Sequence, residues 1–349
     1  MVRAQRSPWW AHALVWVGAV TFLLAGTTAA LTHLTDSLVE ETIPDENFLG
    51  DDRAEMDTEN ISGPLNFLVV GRDKDENGVT RTDTLIIVHI NAELDTASMI
   101  SVPRDLWIEI ADCGNGSPCV DKINSAATKF SEEKRQVQNI TDTLYNLTGL
   151  RFNGLAIANF EGFLDLIEVV GEVELCPWHE ITTDHTGQTF PGECRYYGKD
   201  DALEIVRERK AWSEPEDYRE GRGGDYGRQA MQQQAIMSIL KEAKKQGYHT
   251  NPGKAIEILE EIGENLVFDR GGMKLTDLIL SLSDIDPDGI QRVRIPSTTS
   301  SVMVNGNPTS IEIMSEEQGH VETADNLWRS VENDTVDEWI GDNPEWVHS

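Results

Sequence analysis

Arginine and aspartate recur together along this chain. Gly71-Arg72-Asp73 is followed by Arg81-Thr82-Asp83-Thr84 and Pro103-Arg104-Asp105. Further on come Asp121-Lys122-Ile123-Asn124, Val206-Arg207-Glu208-Arg209 and a run from Gly224 that carries Asp225, Arg228 and Gln232. The chain has 29 Lys and Arg against 61 Asp and Glu, so gathering cations at these places runs against its overall charge. Guanidinium groups take phosphate oxygens in bidentate pairs, and Lys122 would add a point charge. Carboxylates beside them suit a hard divalent cation, and Asp73 and Asp83 are the candidate pair for one. Pyrophosphate with a divalent ion is the simplest ligand that needs both. Each residue also has a plainer reading. A surface Arg is usually solvated or loosely paired, Asp83 caps a turn, and Asp105 serves only as a partner for Arg104.

Apolar patterning indicates the elements that must position these groups. Leu65 to Val70, Leu85 to Ile90 and Ser98 to Val102 are apolar runs of strand length, the last two joined as a hairpin through Asn91 to Asp95. Asp73 then follows one strand, Arg104 and Asp105 follow another, and Arg81 and Asp83 precede the third. If that third strand is antiparallel to its neighbours, one sheet edge collects all five, at the place where open α/β sheets bind ligands. An extended Val206 to Arg209 would put Arg207 and Arg209 on one face. Arg228 and Gln232 are four apart on a long helix, and Gly221 to Asp225 before it can bring backbone N–H groups to an anion. Helices are also predicted around Val137 to Leu147, Phe163 to Val170, Ala255 to Ile262 and Leu275 to Leu282, with strands at Glu172 to Leu175 and Gln291 to Ile295. The alternation predicts a layered α/β domain.

The 349 residues carry a formal charge of −32, which excludes general nucleic-acid binding. Such self-repulsion fits either a salt-rich habitat or an acidic protein facing a wall. Trp9 to Leu31 is uncharged and mostly apolar, with Arg3 and Arg6 before it and acidic residues from Asp36 onward. A membrane anchor with the N-terminus inside is the preferred reading, and a cleaved signal peptide is its rival. The expected organisation is a cytoplasmic tail over 1–8, an anchor over 9–31, an acidic linker over 32–63, a catalytic domain over 64–331 and a loosely attached acidic tail over 332–349. Outside a membrane, Cys113 with Cys119 and Cys176 with Cys194 are natural disulfides, with zinc at His179 and His185 as the alternative. The sequence has no P-loop, nucleophile elbow, H-E-x-x-H pair or basic recognition helix, and none of its 8 His falls in a motif, which argues against a His-based triad.

The motifs in this order, with Ala158 to Phe163 among them, resemble the LytR-CpsA-Psr family of membrane-anchored wall-assembly proteins. The resemblance covers about Leu65 to Leu240 and extends loosely to Val331. It implies a three-layer α/β/α sandwich on a central mixed sheet, with a long apolar cavity for a polyprenyl chain. It further implies transfer of a phosphorylated glycopolymer from a polyprenyl-pyrophosphate carrier to peptidoglycan, at the C6 hydroxyl of N-acetylmuramic acid, assisted by Mg²⁺ or Mn²⁺. On that basis Asp73 and Asp83 hold the metal. Arg81, Arg104, Arg207 and Arg209 act on the reacting phosphates, Lys122, Arg228 and Gln232 bind pyrophosphate, and Asp225 supports the arginines. The base is Asp105 or an Asp beside the metal. The stretch Tyr197 to Leu203 departs from the family pattern, and the Cys176 and Cys194 pair resembles actinobacterial members. The competing readings are a non-catalytic envelope scaffold that binds polyprenyl phosphate and a membrane-tethered regulator.

The charge asymmetry about Trp9 to Leu31 predicts that a reporter fused after Ser349 is active only outside the cytoplasm. Cytoplasmic activity of that fusion would overturn the topology.

Overall fold

The structure is a computed structural model that describes residues 46–74, 80–219, 223–251, 253–254, 256 and 263–347. The anchor predicted over 9–31, and most of the helix predicted over Ala255 to Ile262, lie outside the described residues. Among the described residues no helix is long and apolar enough to cross a membrane.

The strands are β1 (Leu65–Lys74), β2 (Thr80–Ile90), β3 (Ala97–Ser101), β4 (Trp107–Ile110), β5 (Cys119–Lys122), β6 (Gly154–Asn159) and β7 (Val173–Leu175). They continue with β8 (Ile181–Thr182), β9 (Thr189–Phe190), β10 (Arg195–Tyr197), β11 (Leu266–Asp269), β12 (Gln291–Arg294), β13 (Thr298–Val304) and β14 (Asn307–Ile313). The helices are α1 (Glu133–Thr148), α2 (Phe160–Val170), α3 (Lys199–Arg207), α4 (Pro215–Arg219), α5 (Asp225–Lys245), α6 (Leu275–Ser281), α7 (His320–Glu332) and α8 (Val336–Asp342). A six-stranded mixed sheet, ordered β11-β6-β1-β2-β3-β12, forms the centre. β2 runs antiparallel to both β1 and β3, so its start lies beside the end of β1.

Side chains alternate across this sheet as a pleat requires. Leu68, Val70, Leu85, Ile87, Ile100, Leu155, Ile157 and Val293 enter one core with Val137, Ile140 and Leu144 of α1 and Leu327 and Trp328 of α7. Their neighbours Ile86 and Met99 pack on the other side with Met237 of α5. Burial on both faces is why these strands read as apolar runs rather than as alternating ones. Gln233 of α5 donates through Nε2 to Met99 O at 3.2 Å, Ser101 Oγ at 2.8 Å and Val293 O at 3.2 Å, which fixes the helix across β3 and β12. A second core joins α2, α3 and α5 through Ile167, Ile205, Trp212 and Met231. The central mixed sheet, the β2–β3 hairpin and both disulfides, Cys113–Cys119 and Cys176–Cys194, agree with the reading from sequence.

Two boundaries are corrected. The acidic tail is not loose: Val336, Trp339 and Trp346 sit in the main core, and Val347 bridges to Val293. Its acidic residues are spaced so that these apolar ones share the inward face. The acidic linker also ends early. Phe48 and Leu49 are buried in the same core, and both backbone N–H groups donate to Asp269 Oδ2 at 2.8 Å.

Trp339→Ala is therefore expected to cost about 3–5 kcal/mol, measured as the fall in the urea midpoint. A loosely attached tail would show a change within about 0.5 kcal/mol.

Candidate active site

β1 and β2 pair in steady register from Leu65 opposite Ile90 to Gly71 opposite Thr84, and then the register shifts, placing Arg72 opposite Thr82. Asp83 is the extra residue. A bulge of this kind leaves one residue off the ladder and re-aims its side chain. Gly71 permits it, because a Cβ there would lie 2.8 Å from Thr84 Cβ. Both strands run on through the charged residues. Asp73 thus lies inside β1, opposite Arg81, rather than after its end, and Asp83 lies inside β2 rather than before its start. The side chains of Asp73 and Arg81 lie outside the described residues.

Asp83 Oδ1 pairs with Arg104 NH1. Arg104 Nε is 3.8 Å from Asp105 Oδ2 and 3.9 Å from Asp225 Oδ1. Arg209 spans the same two carboxylates, 3.2 Å from Asp105 Oδ2 and 3.3 Å from Asp225 Oδ1. Arg228 NH2 is 2.7 Å from Asp225 Oδ1 and donates to Asp83 O at 3.1 Å. Lys122 Nζ is 2.9 Å from Asp105 Oδ1. The structure therefore joins Arg104, Arg209, Arg228 and Lys122 through Asp83, Asp105 and Asp225. Four cations on three carboxylates leave one positive charge in excess among these side chains.

Beside this cluster lies an apolar cavity of about 320 Å³ between the sheet and helices α2 and α5. Phe163, Leu166, Ile236, Ile239 and Phe268 are among its apolar lining. Its polar lining includes Arg72, Asp83, Thr84 and Gln232. Gln232 accepts from Thr84 Oγ1 at 2.9 Å, so Arg228 and Gln232 do face the same strand. Asp83 belongs to both the cavity and the arginine cluster.

Residues 32–326 match the LytR_cpsA_psr family. The chain belongs to that family. It is 29% identical over 276 residues to the polyisoprenyl-teichoic acid–peptidoglycan teichoic acid transferase TagU of Oceanobacillus iheyensis, covering 77% of this chain and 72% of the relative. It is 23% identical over 326 residues to the cell wall biosynthesis protein LcpA of Corynebacterium glutamicum, covering 82% of this chain and 59% of that relative. Among solved structures, Bacillus subtilis TagV superposes with a TM-score of 0.60 at 22% identity, over 78% of this chain and 98% of TagV. At that identity the likeness is one of fold.

The segment Val206 to Arg209 is not extended throughout: its first two residues are helical. Arg207 is the last residue of α3, and the backbone becomes extended only at Glu208, the C-cap. The helical spacing of Ala202, Ile205 and Val206 carries the segment as a helix up to that point. Glu208 is almost fully buried and explains the acidic residue between two arginines. Its Oε1 accepts from the N–H groups of Arg209 at 2.8 Å, Lys210 at 2.6 Å and Ala211 at 3.1 Å. Its Oε2 accepts from Asp184 N–H at 2.8 Å. His179, an alternative zinc ligand from sequence, instead pairs with Asp217 at 3.0 Å. Among the described residues no group of three or more His, Cys, Asp or Glu could hold a metal ion.

Sequence reasoning also missed Glu312 and Tyr226. Tyr226 OH donates to Glu312 Oε2 at 2.5 Å, and Glu312 N–H donates to Asp105 O at 2.9 Å. Burial pushes the Glu312 carboxyl up, and the Tyr226 and Thr299 hydroxyls only partly offset it. No local pattern marks Glu312, because its partners are distant in the chain.

Burial also opposes charge on Asp225, yet Arg228, Arg209 and Arg104 outweigh it and hold the carboxyl below its usual range. On Arg104, burial is outweighed by Asp83, Asp225 and Asp105, so its charge is favoured. On Arg228, burial wins, helped by Arg104 and Arg209, and its charge is disfavoured despite Asp225. A depressed carboxyl stabilises the fold above its unfolded value, about 3.9, and that stability is lost as pH falls through the folded value. Asp225→Ala should cost about 3–5 kcal/mol at neutral pH and flatten the acid limb of the stability profile below about pH 4. Sulfate should restore part of the loss by replacing the missing negative charge. Chemical unfolding across pH measures both, and a variant as stable as the parent would exclude Asp225 as the counter-charge.

Proposed function

We propose that the chain is a phosphotransferase that moves a phosphorylated glycopolymer from a polyprenyl-pyrophosphate carrier to a peptidoglycan hydroxyl. The observation that carries this reading is the shared border of the arginine cluster and the apolar cavity at Asp83. A ligand filling both must have an apolar chain joined to an anionic head. Family membership and the printed activity of the TagU relatives support the same reading.

In this reading Arg104, Arg209, Arg228 and Lys122 hold the pyrophosphate oxygens, and Arg207 and Arg81 complete the set. The acceptor oxygen forms a bond to the phosphorus next to the sugar, and the bond to the polyprenyl phosphate breaks. Negative charge grows on the leaving phosphate, where fixed guanidiniums stabilise it without rearranging. The acceptor proton leaves to a base. Asp105 has one oxygen on Lys122 and the other on Arg209, which suits positioning those cations better than taking a proton. A carboxylate next to the metal is then the better candidate. Asp83 stands on its bulge at the cavity wall as a carboxylate donor, so the donor chemistry fits a hard cation with Asp73 as the second ligand. Mg²⁺ or Mn²⁺ held there would neutralise phosphate charge. The reading places the domain outside the cell membrane on an N-terminal anchor, where the two disulfides are stable.

Arg104→Ala should lower release of lipid phosphate from a polyprenyl-pyrophosphate substrate by about 100-fold, or ~3 kcal/mol, with the fold intact by circular dichroism. Asp83→Ala should be partly rescued by added Mg²⁺, and Arg104→Ala should not. A folded Arg104 variant with the parent's rate would remove the cluster as the active site.

A further inference from the structure

β12 sends Arg292 and Arg294 to the face that meets α5, because Val293 between them enters the opposite core. The two arginines have different surroundings. Arg294 lies 4.8 Å from the Tyr226 ring and 4.3 Å from the Trp346 ring, and it donates to Glu345 O at 3.4 Å. Arg292 has no hydrogen bond, ion pair or ring contact among the described residues, and burial alone acts on its charge. A half-buried guanidinium without a counter-charge is costly to keep.

Arg292 lines a cavity of about 440 Å³, on the flank of α5 that carries Gln234, Ser238 and Lys241. The residues of α5 that line the apolar cavity are others, among them Ile236, Ile239 and Leu240. Gln234 Oε1 accepts from Cys176 N–H at 2.9 Å, which leaves its NH₂ group to donate. Ser238 Oγ accepts from Glu174 N–H at 2.6 Å, which leaves its hydroxyl hydrogen. Lys241 pairs with Asp288 at the same wall. Glu174 and Asp288 offer acceptors of the kind that sugar hydroxyls need. The volume exceeds what a bare oxyanion fills, and the lining mixes donors with acceptors.

We propose that this cavity is a second, non-catalytic site that binds an anionic sugar unit, a monosaccharide carrying a phosphate or a carboxylate, with Arg292 as the oxyanion contact. It rests on the transferase reading for the source of such a unit, the glycopolymer, and would hold that polymer away from the reacting phosphates.

The test uses the full chain in detergent, in an Arg104→Ala background that weakens phosphate binding at the arginine cluster. Glucose 6-phosphate, glucuronate, glucose and inorganic phosphate are titrated by calorimetry. At least one of the two anionic sugars should bind one per chain, about tenfold or more tighter than glucose or phosphate, and which of them does so identifies the anion. Adding Arg292→Gln should weaken that binding about tenfold or more, while the melting temperature stays level or rises as an unpaired charge is removed. Unchanged affinity in the Arg292 variant, a marked fall in its melting temperature, no sugar binding at all, or phosphate binding as tightly as the sugars would each overturn the proposal. A parent chain that binds the sugar in this way but transfers no polymer would overturn the transferase reading and leave the site standing.

Discussion

One carboxylate oxygen, Asp225 Oδ1, lies within 4 Å of three guanidiniums, those of Arg104, Arg209 and Arg228. Like charges this close repel strongly in a site half removed from water. The cluster exists only because a negative charge is built into its middle. Asp225 is held there by its place at the start of α5, where a helix N-terminus favours an anion, and by Gln229 one turn on, which donates to its Oδ2 at 3.0 Å. Gly224 before it has φ +59°, a conformation that side chains rarely adopt. The sequence Gly224-Asp225 is thus a backbone requirement followed by an electrostatic one.

The other elements answer the same constraint from their own directions. The bulge in β2 brings Asp83 off the ladder to meet Arg104, and Gly71 makes room for it. Glu208 gathers three successive N–H groups and so fixes the turn that delivers Arg209. Glu312 anchors the β13–β14 hairpin to Asp105 by a backbone bond and to α5 through Tyr226. Acidic residues thus do two jobs here. Some face the cations as counter-charges, and others never touch them but hold the chain that carries them. A view limited to the counter-charges misses the second group, because those carboxylates are spent on backbone N–H groups and a phenol.

What the sequence makes legible follows from this division. Asp83, Arg104, Lys122, Asp225 and Arg228 stand in short motifs, and their chemistry is visible in the residue types. Strand and helix types follow from apolar period. Strand ends do not, because Arg72, Asp73, Arg81 and Asp83 carry no apolar signal, yet the β1–β2 ladder continues through them. The tail is hidden for the opposite reason. Its acidic composition hides three inward residues, Val336, Trp339 and Trp346, that only the folded core reveals. Glu312 and Tyr226 are 86 residues apart, and nothing local to either marks the other.

The acidity of the rest of the chain belongs to the same design. With a formal charge of −32, the chain as a whole repels an approaching anion. The described cluster is a place where four cations face three carboxylates, so it offers an anion a net attraction against that background. The adjoining cavity wall is largely apolar, and a low-dielectric border strengthens each charge contact there. An anion without an apolar chain gains only the first of these. An apolar chain without a charged head gains only burial, at about 25 cal/mol per Å². In the proposed reading, a molecule that has both gains both at once, because of the placement of Asp83 on the border. That placement depends in turn on one off-register residue in β2 and on a neighbour, Gly71, without a side chain.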